Sequence, residues 1–208
     1  MTSDSTTSGT GEKSRLGRLA DFLFEAGMLY KTPRTGFQFL GSHDESVAEH
    51  SFRTAVIGYI LADMAGADTD KTAIMCLFHD FHEARVGDFN YVNRIYNTSR
   101  PVDALIDALK GTGLTDKVLP LFEEMEEART QEAQLAQDAD QIDLILTLKQ
   151  ELDLGNPYAA KWLACAEPRL RTKEGLELAR MIQQTDHTDW WFKGPRPEWW
   201  TRKNGADK

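Results

Sequence analysis

Apolar side chains recur every three or four residues along most of this chain, the spacing that places them on one face of an α-helix. No segment shows the alternation of apolar and polar residues between turn signals that a β-hairpin requires. We therefore expect an all-α bundle. The pattern predicts helices over residues 15–29, 46–65, 68–78, 102–109, 116–153 with breaks, 157–165 and 172–184.

Local signals predict where helices start and where loops lie. Ser46 and Glu49 form a Ser-x-x-Glu capping box, and Asp68 can cap the helix that follows. The segment 31–46 contains a proline and two glycines, which predicts a loop. In the first helix the apolar face is predicted to consist of Leu16, Leu19, Leu23 and Ala26.

Three regions differ in composition. Residues 1–13 are mostly Ser, Thr and Gly and predict a disordered N-terminal tail, because no burial would offset the entropy of ordering them. Residues 14–186 are predicted to form one helical domain. Residues 187–208 contain four tryptophans and two prolines, and we expect an arm that lies against the bundle or a partner subunit.

Charge and cysteine content limit the partners and the location. With 24 Lys and Arg against 33 Asp and Glu, the net charge is −9, and no basic cluster offers a surface for nucleic acid or an anionic membrane. No apolar stretch reaches the roughly 20 residues of a membrane-spanning helix, and no signal-peptide core is seen. Cys76 and Cys165 predict two small buried side chains in a reducing compartment, so we expect a cytoplasmic protein.

Four residues have the chemistry of a metal site. His79 and Asp80 are adjacent, and adjacent helical residues point about 100° apart, so both reach one ion only near a helix end. His50 follows the capping box of the preceding helix. Asp140 lies on an apolar face, where a carboxylate is unfavourable unless a cation or a donor meets it.

The stretches KTPRTGF, ESVAEHS, FHDFHEARVGD and DADQIDLILTLKQEL follow one another between residues 15 and 155. In them the chain resembles the HD-domain metal-dependent phosphohydrolases, and more narrowly the 5′-deoxynucleotidase family and its relatives. The resemblance implies an HD-domain helical bundle with a metal site between helices, and a homodimer. The metal ligands that it implies are His50, His79, Asp80 and Asp140.

The resemblance also implies catalytic or substrate-contacting roles for Arg34, Glu83 and Asp88. The guanidinium group of Arg34 matches phosphate oxygens, and Glu83 is placed to exchange protons near the metal. Thr35 stands where well-known deoxynucleotidases carry a tryptophan that excludes a ribose 2′-hydroxyl, so the resemblance does not extend to a strict preference for deoxyribose. Phe37 could stack on a base or sugar.

These residues predict hydrolysis of a phosphomonoester, a nucleoside 5′-monophosphate, by water activated on one divalent ion. Mn, Co, Fe, Ni and Zn all suit this mixed nitrogen and oxygen ligand set. Two alternatives remain open. One is an HD-domain di-iron oxygenase, which needs more histidines between Asp80 and Asp140 than His82 alone. The other is a catalytically inactive helical module that uses the Trp-rich arm for assembly.

Overall fold

A computed structural model describes residues 13–41 and 44–192. Over these residues the chain forms ten α-helices and no strand, which confirms the all-α prediction, and one isolated β-bridge joins Pro33 to Ser46. The helices are α1 Arg15–Ala26, α2 Val47–Ala65, α3 Thr69–Phe78, α4 Glu83–Val86, α5 Tyr91–Tyr96, α6 Pro101–Leu109, α7 Thr115–Glu127, α8 Gln131–Asp153, α9 Ala159–Ala166 and α10 Lys173–Gln184. Short 3₁₀ turns span Gly27–Tyr30, Thr35–Phe39 and Glu167–Arg169.

The predicted caps define the starts of α2 and α3. The Ser46 hydroxyl accepts from the Glu49 amide at 3.3 Å, and the Glu49 carboxylate accepts from the Ser46 amide at 2.8 Å, so both halves of the capping box are present. Asp68 accepts from the Lys71 amide at 2.9 Å. The capping box therefore fixes the first turn of α2, which contains His50.

Two hydrophobic clusters form the core. The first joins α2, α3, α8, α9 and α10 and includes Leu61, Met75, Leu135, Ile142 and Leu148. The second joins α1, α6 and α7 and includes Phe22, Phe81, Leu105, Leu109 and Phe122. Because α2 contributes Val47 to the second cluster and Ile57 to the first, its residue 50 lies between them.

The backbone between α3 and α4 departs from a regular helix. Residues 79–82 form turns, in which the Phe81 amide donates to Phe78 and the Glu83 amide donates to Asp80. The Phe81 ring stacks on Phe22 at 4.5 Å between ring centroids and anchors this segment in the second cluster. The predicted helix end after residue 78 is thus confirmed, whereas α4 and α5 were not predicted.

Several local expectations were wrong. The buried side chain of α1 is Phe22, while Leu16 and Leu23 are 78% and 71% exposed, so these two residues of the predicted apolar face do not face the core. Ala26 of the same predicted face does pack against the second cluster. Cys165 is exposed because its position on α9 faces a cavity, not the core. The segment 31–46 contains a 3₁₀ turn as well as loop.

The predicted terminal regions lie mostly outside the described residues. This applies to residues 1–12 of the predicted tail and residues 193–208 of the predicted arm. Within the described part of the arm, Trp190 is exposed. Among the helices that the structure describes, none combines the length and apolar composition needed to cross a membrane.

Candidate metal and phosphate site

Four side chains meet between α2, α3 and α8. His50 lies in the first turn of α2, His79 is the C-cap of α3, Asp80 follows it, and Asp140 lies in α8. His50 Nε2 is 3.2 Å from both His79 Nε2 and Asp140 Oδ1, and 3.5 Å from Asp80 Oδ2. His79 Nε2 is 3.1 Å from Asp80 Oδ2. The two imidazole nitrogens and the Asp140 oxygen lie within 4.8 Å of one another, and the Asp80 oxygen lies beside both nitrogens, so the four groups surround a common centre.

The other ring nitrogen of each histidine has an acceptor. His50 Nδ1 is 2.6 Å from Asp143 Oδ2, and His79 Nδ1 is 2.7 Å from the carbonyl oxygen of Cys76. A carboxylate and a carbonyl can only accept, so Nδ1 carries the proton in each neutral ring. Both Nε2 lone pairs are thus directed at the common centre, as metal-ligating histidines require.

The electrostatics of this centre fit a cation. Two lone pairs 3.2 Å apart repel unless a positive charge lies between them. Burial and Arg34 oppose protonation of His50, but hydrogen bonds to Asp140, Asp143 and Asp80 outweigh them and raise its pKa well above the usual value. Burial also opposes ionisation of Asp140, but His50 outweighs it and lowers the pKa of that carboxyl to about 2. The donor set, borderline nitrogen with hard oxygen, suits a divalent transition ion.

Asp143 links the histidine to a buried polar network that sequence reasoning missed. Its Oδ1 accepts from Arg53 Nε at 2.5 Å, and the same guanidinium donates to Glu45 at 2.9 Å and to Thr147 at 2.6 Å. Asp143 is 0% exposed. Its position three residues after Asp140 on α8 is the signal that could have found it, since that spacing brings two carboxylates to neighbouring positions on one helix face.

Arg34 lies beside the same centre. Its guanidinium contacts Asp80 Oδ2 at 3.3 Å. Burial acts to lower the pKa of Arg34, but Asp80, Asp140 and Asp88 outweigh it and raise the pKa, so the group stays charged. A charged planar guanidinium next to a metal-type centre is a suitable partner for phosphate oxygens.

Asp88 and Thr35 hold the loop that carries Arg34. The Thr35 amide donates to Asp88 Oδ2 at 2.8 Å, and the Thr35 hydroxyl donates to the Asp88 carbonyl at 2.8 Å. The same hydroxyl accepts from the Asn90 amide at 3.0 Å. One Asp88 carboxylate oxygen is thus committed to the loop, while the residue also lines the cavity described next.

Glu83 is buried beside the centre. It is 5% exposed, and its Oε2 has no hydrogen-bond partner among the described residues. Burial, together with the charges of Asp80 and Asp88, raises the pKa of Glu83 to about 9. Glu83 starts α4 after the turn at 79–82, so it reaches the centre from a different helix than the one that His79 caps.

A cavity of about 510 Å³ opens onto these groups. Its floor contains Arg34, Asp80, Glu83, Asp88 and Asp140, and its apolar walls include Tyr91, Leu144 and Trp162. Phe37 also lines it, but with 3% exposure the ring belongs largely to the first core cluster. The size lies within the roughly 300–1,000 Å³ of small-molecule sites. Six of the nine predicted site residues thus line this cavity: Arg34, Phe37, Asp80, Glu83, Asp88 and Asp140. The other three contact this lining from behind, His50 and His79 at Asp80 and Thr35 at Asp88. Trp162 also lines the cavity, and no sequence pattern indicated it.

Comparison with known proteins finds several that are similar to this chain in sequence or in fold. The 5′-deoxynucleotidase HDDC2 of Danio rerio is 27% identical over 177 residues, which cover 81% of this chain and 88% of that protein. A conserved hypothetical protein from Pyrococcus furiosus has a TM-score of 0.65 at 29% identity, over 80% of this chain and 99% of its own. The cyanophage S-2L HD phosphohydrolase DatZ, bound to dA and one catalytic Zn²⁺ ion, has a TM-score of 0.51 at 18% identity, over 78% of this chain and 96% of its own. At that identity the last likeness shows the fold alone.

A sequence profile described as HD domain matches residues 26–164, which is more than half of the chain and contains all four residues of the His and Asp centre. The chain therefore belongs to the HD domain family.

Proposed function

We propose that this protein is a metal-dependent phosphohydrolase that removes phosphate from a nucleoside 5′-monophosphate. The observation that carries the proposal is the convergence of two Nε2 atoms and two carboxylate oxygens, beside a charged arginine, at the floor of a nucleotide-sized cavity. The naming of the Danio rerio relative as a 5′-deoxynucleotidase supports the same reaction class.

His50, His79, Asp80 and Asp140 are the residues that would hold one divalent ion, with Mn, Co, Fe, Ni and Zn as the candidates. When bound, such an ion activates water and offsets phosphate charge. The zinc ion of the cyanophage protein favours an ion of this class. The chain's own contribution is to place the proton of each neutral imidazole on Nδ1, which Asp143 does for His50, so that Nε2 is the nitrogen left to bind the ion.

Arg34, Glu83 and Asp88 act on the substrate. Arg34 binds the non-bridging phosphate oxygens and holds the phosphorus in line for attack by water. Glu83, a buried carboxyl whose pKa is raised by its surroundings, is the group that would donate a proton to the departing 5′ oxygen. Asp88 positions the Arg34 loop through Thr35, and its free oxygen can accept from a sugar hydroxyl.

The apolar walls would receive the nucleoside. Trp162 is half-buried and its ring lies 6.4 Å from the Phe39 ring, so it is a fixed surface for base or sugar stacking. Thr35 adds only a small side chain near Arg34, and its hydroxyl is already engaged by the backbone. We expect both ribose and deoxyribose substrates to be accepted.

One observation favours the di-iron alternative. Asp80, His82 and Glu83 offer donor atoms within 4.8 Å of one another, adjacent to the first centre. His82 Nδ1 also has no hydrogen-bond partner among the described residues. Metal content decides between the two functions, because two irons per chain with oxygen uptake would support the oxygenase, and one ion with phosphate release supports the hydrolase.

We further propose a cytoplasmic homodimer. The outer face of α2 exposes large apolar side chains, and a contiguous apolar surface of this kind is typical of a protein interface. These residues are Phe52, Val56, Tyr59, Ile60 and Met64. Two free cysteines fit a reducing compartment.

The central experiment measures phosphate release by the full chain after reconstitution with each candidate metal. Ribo- and deoxyribonucleoside 5′-monophosphates are the substrates, and non-nucleotide phosphomonoesters are the comparison. Replacing a residue that only hydrogen-bonds to a metal ligand typically lowers metal affinity or activity by roughly 10–100-fold. Asp80→Asn changes a proposed ligand itself, so it is expected to lower both metal content and turnover by more than that. Asp63→Asn, an exposed change on α2, is the matched control. Full metal content and full turnover in Asp80→Asn would refute the proposal.

A further inference from the structure

One wall of the cavity, formed by α9 and the turn after it, carries its own pattern of side chains. Trp162, Cys165, Ala166 and Arg169 all line the cavity. Their spacing of i, i+3, i+4 and i+7 places them on one face of α9 and of the 3₁₀ turn that continues it. This face explains why Cys165 is exposed and why Arg169 is directed toward the cavity.

A second helix adds another arginine to the same cavity. Tyr91 and Arg94 line it from α5, three residues apart and hence on one helix face. The Phe39 ring contacts both walls, at 5.4 Å from the Tyr91 ring and 6.4 Å from the Trp162 ring. Both arginine-bearing helices thus flank the 3₁₀ turn that directly follows Arg34.

Neither Arg94 nor Arg169 has an ion pair or a side-chain hydrogen bond within residues 13–41 and 44–192. This holds although the chain has nine more acidic than basic residues. Two cations therefore line the cavity with no carboxylate of the described residues within ion-pair distance, although carboxylates form the floor, so a counter-charge at that distance would have to come from a ligand.

A nucleoside 5′-monophosphate does not supply that counter-charge. Its single phosphate is taken by the proposed metal centre and Arg34, and its base and sugar are uncharged. Guanidinium groups bind phosphate strongly and with defined geometry. The cavity is large enough for more than one polar group to be placed in it.

We propose that Arg94 and Arg169 form a second anion subsite, which receives a phosphate on the sugar of the substrate, so that the preferred substrate class is a nucleoside 3′,5′-bisphosphate. This inference rests on the proposed phosphohydrolase function. In the reaction, water attacks the 5′ phosphorus, the P–O5′ bond breaks, and O5′ takes up a proton. The products are inorganic phosphate and a nucleoside 3′-phosphate.

The test compares kcat/KM of the metal-loaded full chain for three derivatives of one nucleoside: the 5′-monophosphate, the 3′,5′-bisphosphate and the 5′-diphosphate. We expect the bisphosphate to exceed the monophosphate by about tenfold or more, the effect of one or two charged hydrogen bonds. Arg94→Gln and Arg169→Gln should each lower the bisphosphate to monophosphate ratio by about tenfold. Arg180→Gln, an exposed arginine outside the cavity, should leave the ratio unchanged.

Three results would overturn the subsite. They are equal kcat/KM for the two substrates in the wild type, equal losses for both substrates in the arginine variants, or the same arginine-dependent preference for the 5′-diphosphate. The last two would mean general attraction of anions. If the wild type hydrolyses none of the three compounds, the proposed function fails. Calorimetric binding of the bisphosphate to wild type and to the Arg94→Gln/Arg169→Gln chain then still tests the subsite, and equal affinities would overturn it.

Discussion

Replacing Asp143 by asparagine is expected to weaken metal binding by a factor of about 10–100. In the wild type, the Asp143 carboxylate accepts from His50 Nδ1 at 2.6 Å, and both side chains are 0% exposed. An asparagine amide can donate to Nδ1, which would move the imidazole proton to Nε2 and remove the lone pair that faces the metal centre. The expected loss corresponds to about 1.4–2.7 kcal/mol of binding free energy, at 1.36 kcal/mol per tenfold.

The same change also affects folding, because Asp143 accepts from Arg53 at 2.5 Å. Loss of a charged acceptor from this buried network is expected to lower the free energy of unfolding by about 1–3 kcal/mol. Asp138→Asn is the matched control. Asp138 is also a buried carboxylate of α8, but it accepts from the Arg171 and Thr172 amides at 2.9 and 2.8 Å, on the side of α10.

The assay titrates the metal-free protein with Mn²⁺ in competition with a chelator, at a temperature where circular dichroism shows each variant to be folded. Urea unfolding in EDTA measures stability separately. Asp143→Asn should lose both stability and affinity, whereas Asp138→Asn should lose stability alone. Wild-type affinity in Asp143→Asn, with both variants destabilised alike, would refute the orienting role and leave Asp143 a purely structural residue.

The remaining predictions concern other parts of the structure. In EDTA, the stability advantage of Glu83→Gln over the wild type should grow as pH rises from about 4.5 to about 9, because folded Glu83 retains a proton that the unfolded chain has released. Urea unfolding at a series of pH values measures this difference, and a difference that does not change with pH would contradict the prediction. Thr35→Val should raise KM by roughly tenfold because the phosphate-binding loop loses two hydrogen bonds, and Thr35→Ser, which keeps the hydroxyl, should not. Gly58→Ala should lower the free energy of unfolding by about 1–3 kcal/mol, since the added Cβ would lie 2.5 Å from Cys76 Sγ. Adding Cys76→Ala should restore most of the lost stability. Gly27→Ala, whose added Cβ would have no atom within 4 Å, is the neutral control.

Features governed by neighbours in sequence could be predicted from the sequence. The caps at Ser46 and Asp68 are examples, because a side-chain oxygen and an amide three residues away suffice to start a helix. The resemblance to HD-domain phosphohydrolases also indicated His50, His79, Asp80 and Asp140, and the fold brings these side chains close together, while their role as metal ligands stays a prediction. The end of α3 at Phe78 followed from the same reasoning, because two adjacent ligands require a helix end.

Features decided by distant partners could not be predicted. The spacing of apolar residues in α1 is compatible with more than one face turned toward the core. The face that contains Phe22 is the buried one because its ring stacks on Phe81, which lies far along the chain. Asp143 contacts His50 across 93 residues, so only the fold reveals that contact. Trp162 lines the cavity because α9 packs on α8, and a helix that faces a cavity has the same apolar spacing as one that faces a core.

The bent backbone at residues 79–82 also matters for anyone who wishes to transplant this centre into a designed scaffold. On an uninterrupted helix, neighbouring histidine and aspartate side chains diverge, and no choice of rotamer would return both to one ion. A successful graft must copy the kink and the aromatic anchor beneath it, Phe81 stacked on Phe22, along with the donor residues. Copying the His79–Asp80 dipeptide alone would therefore not transfer the centre, because the bent backbone that brings the two side chains together must be copied as well.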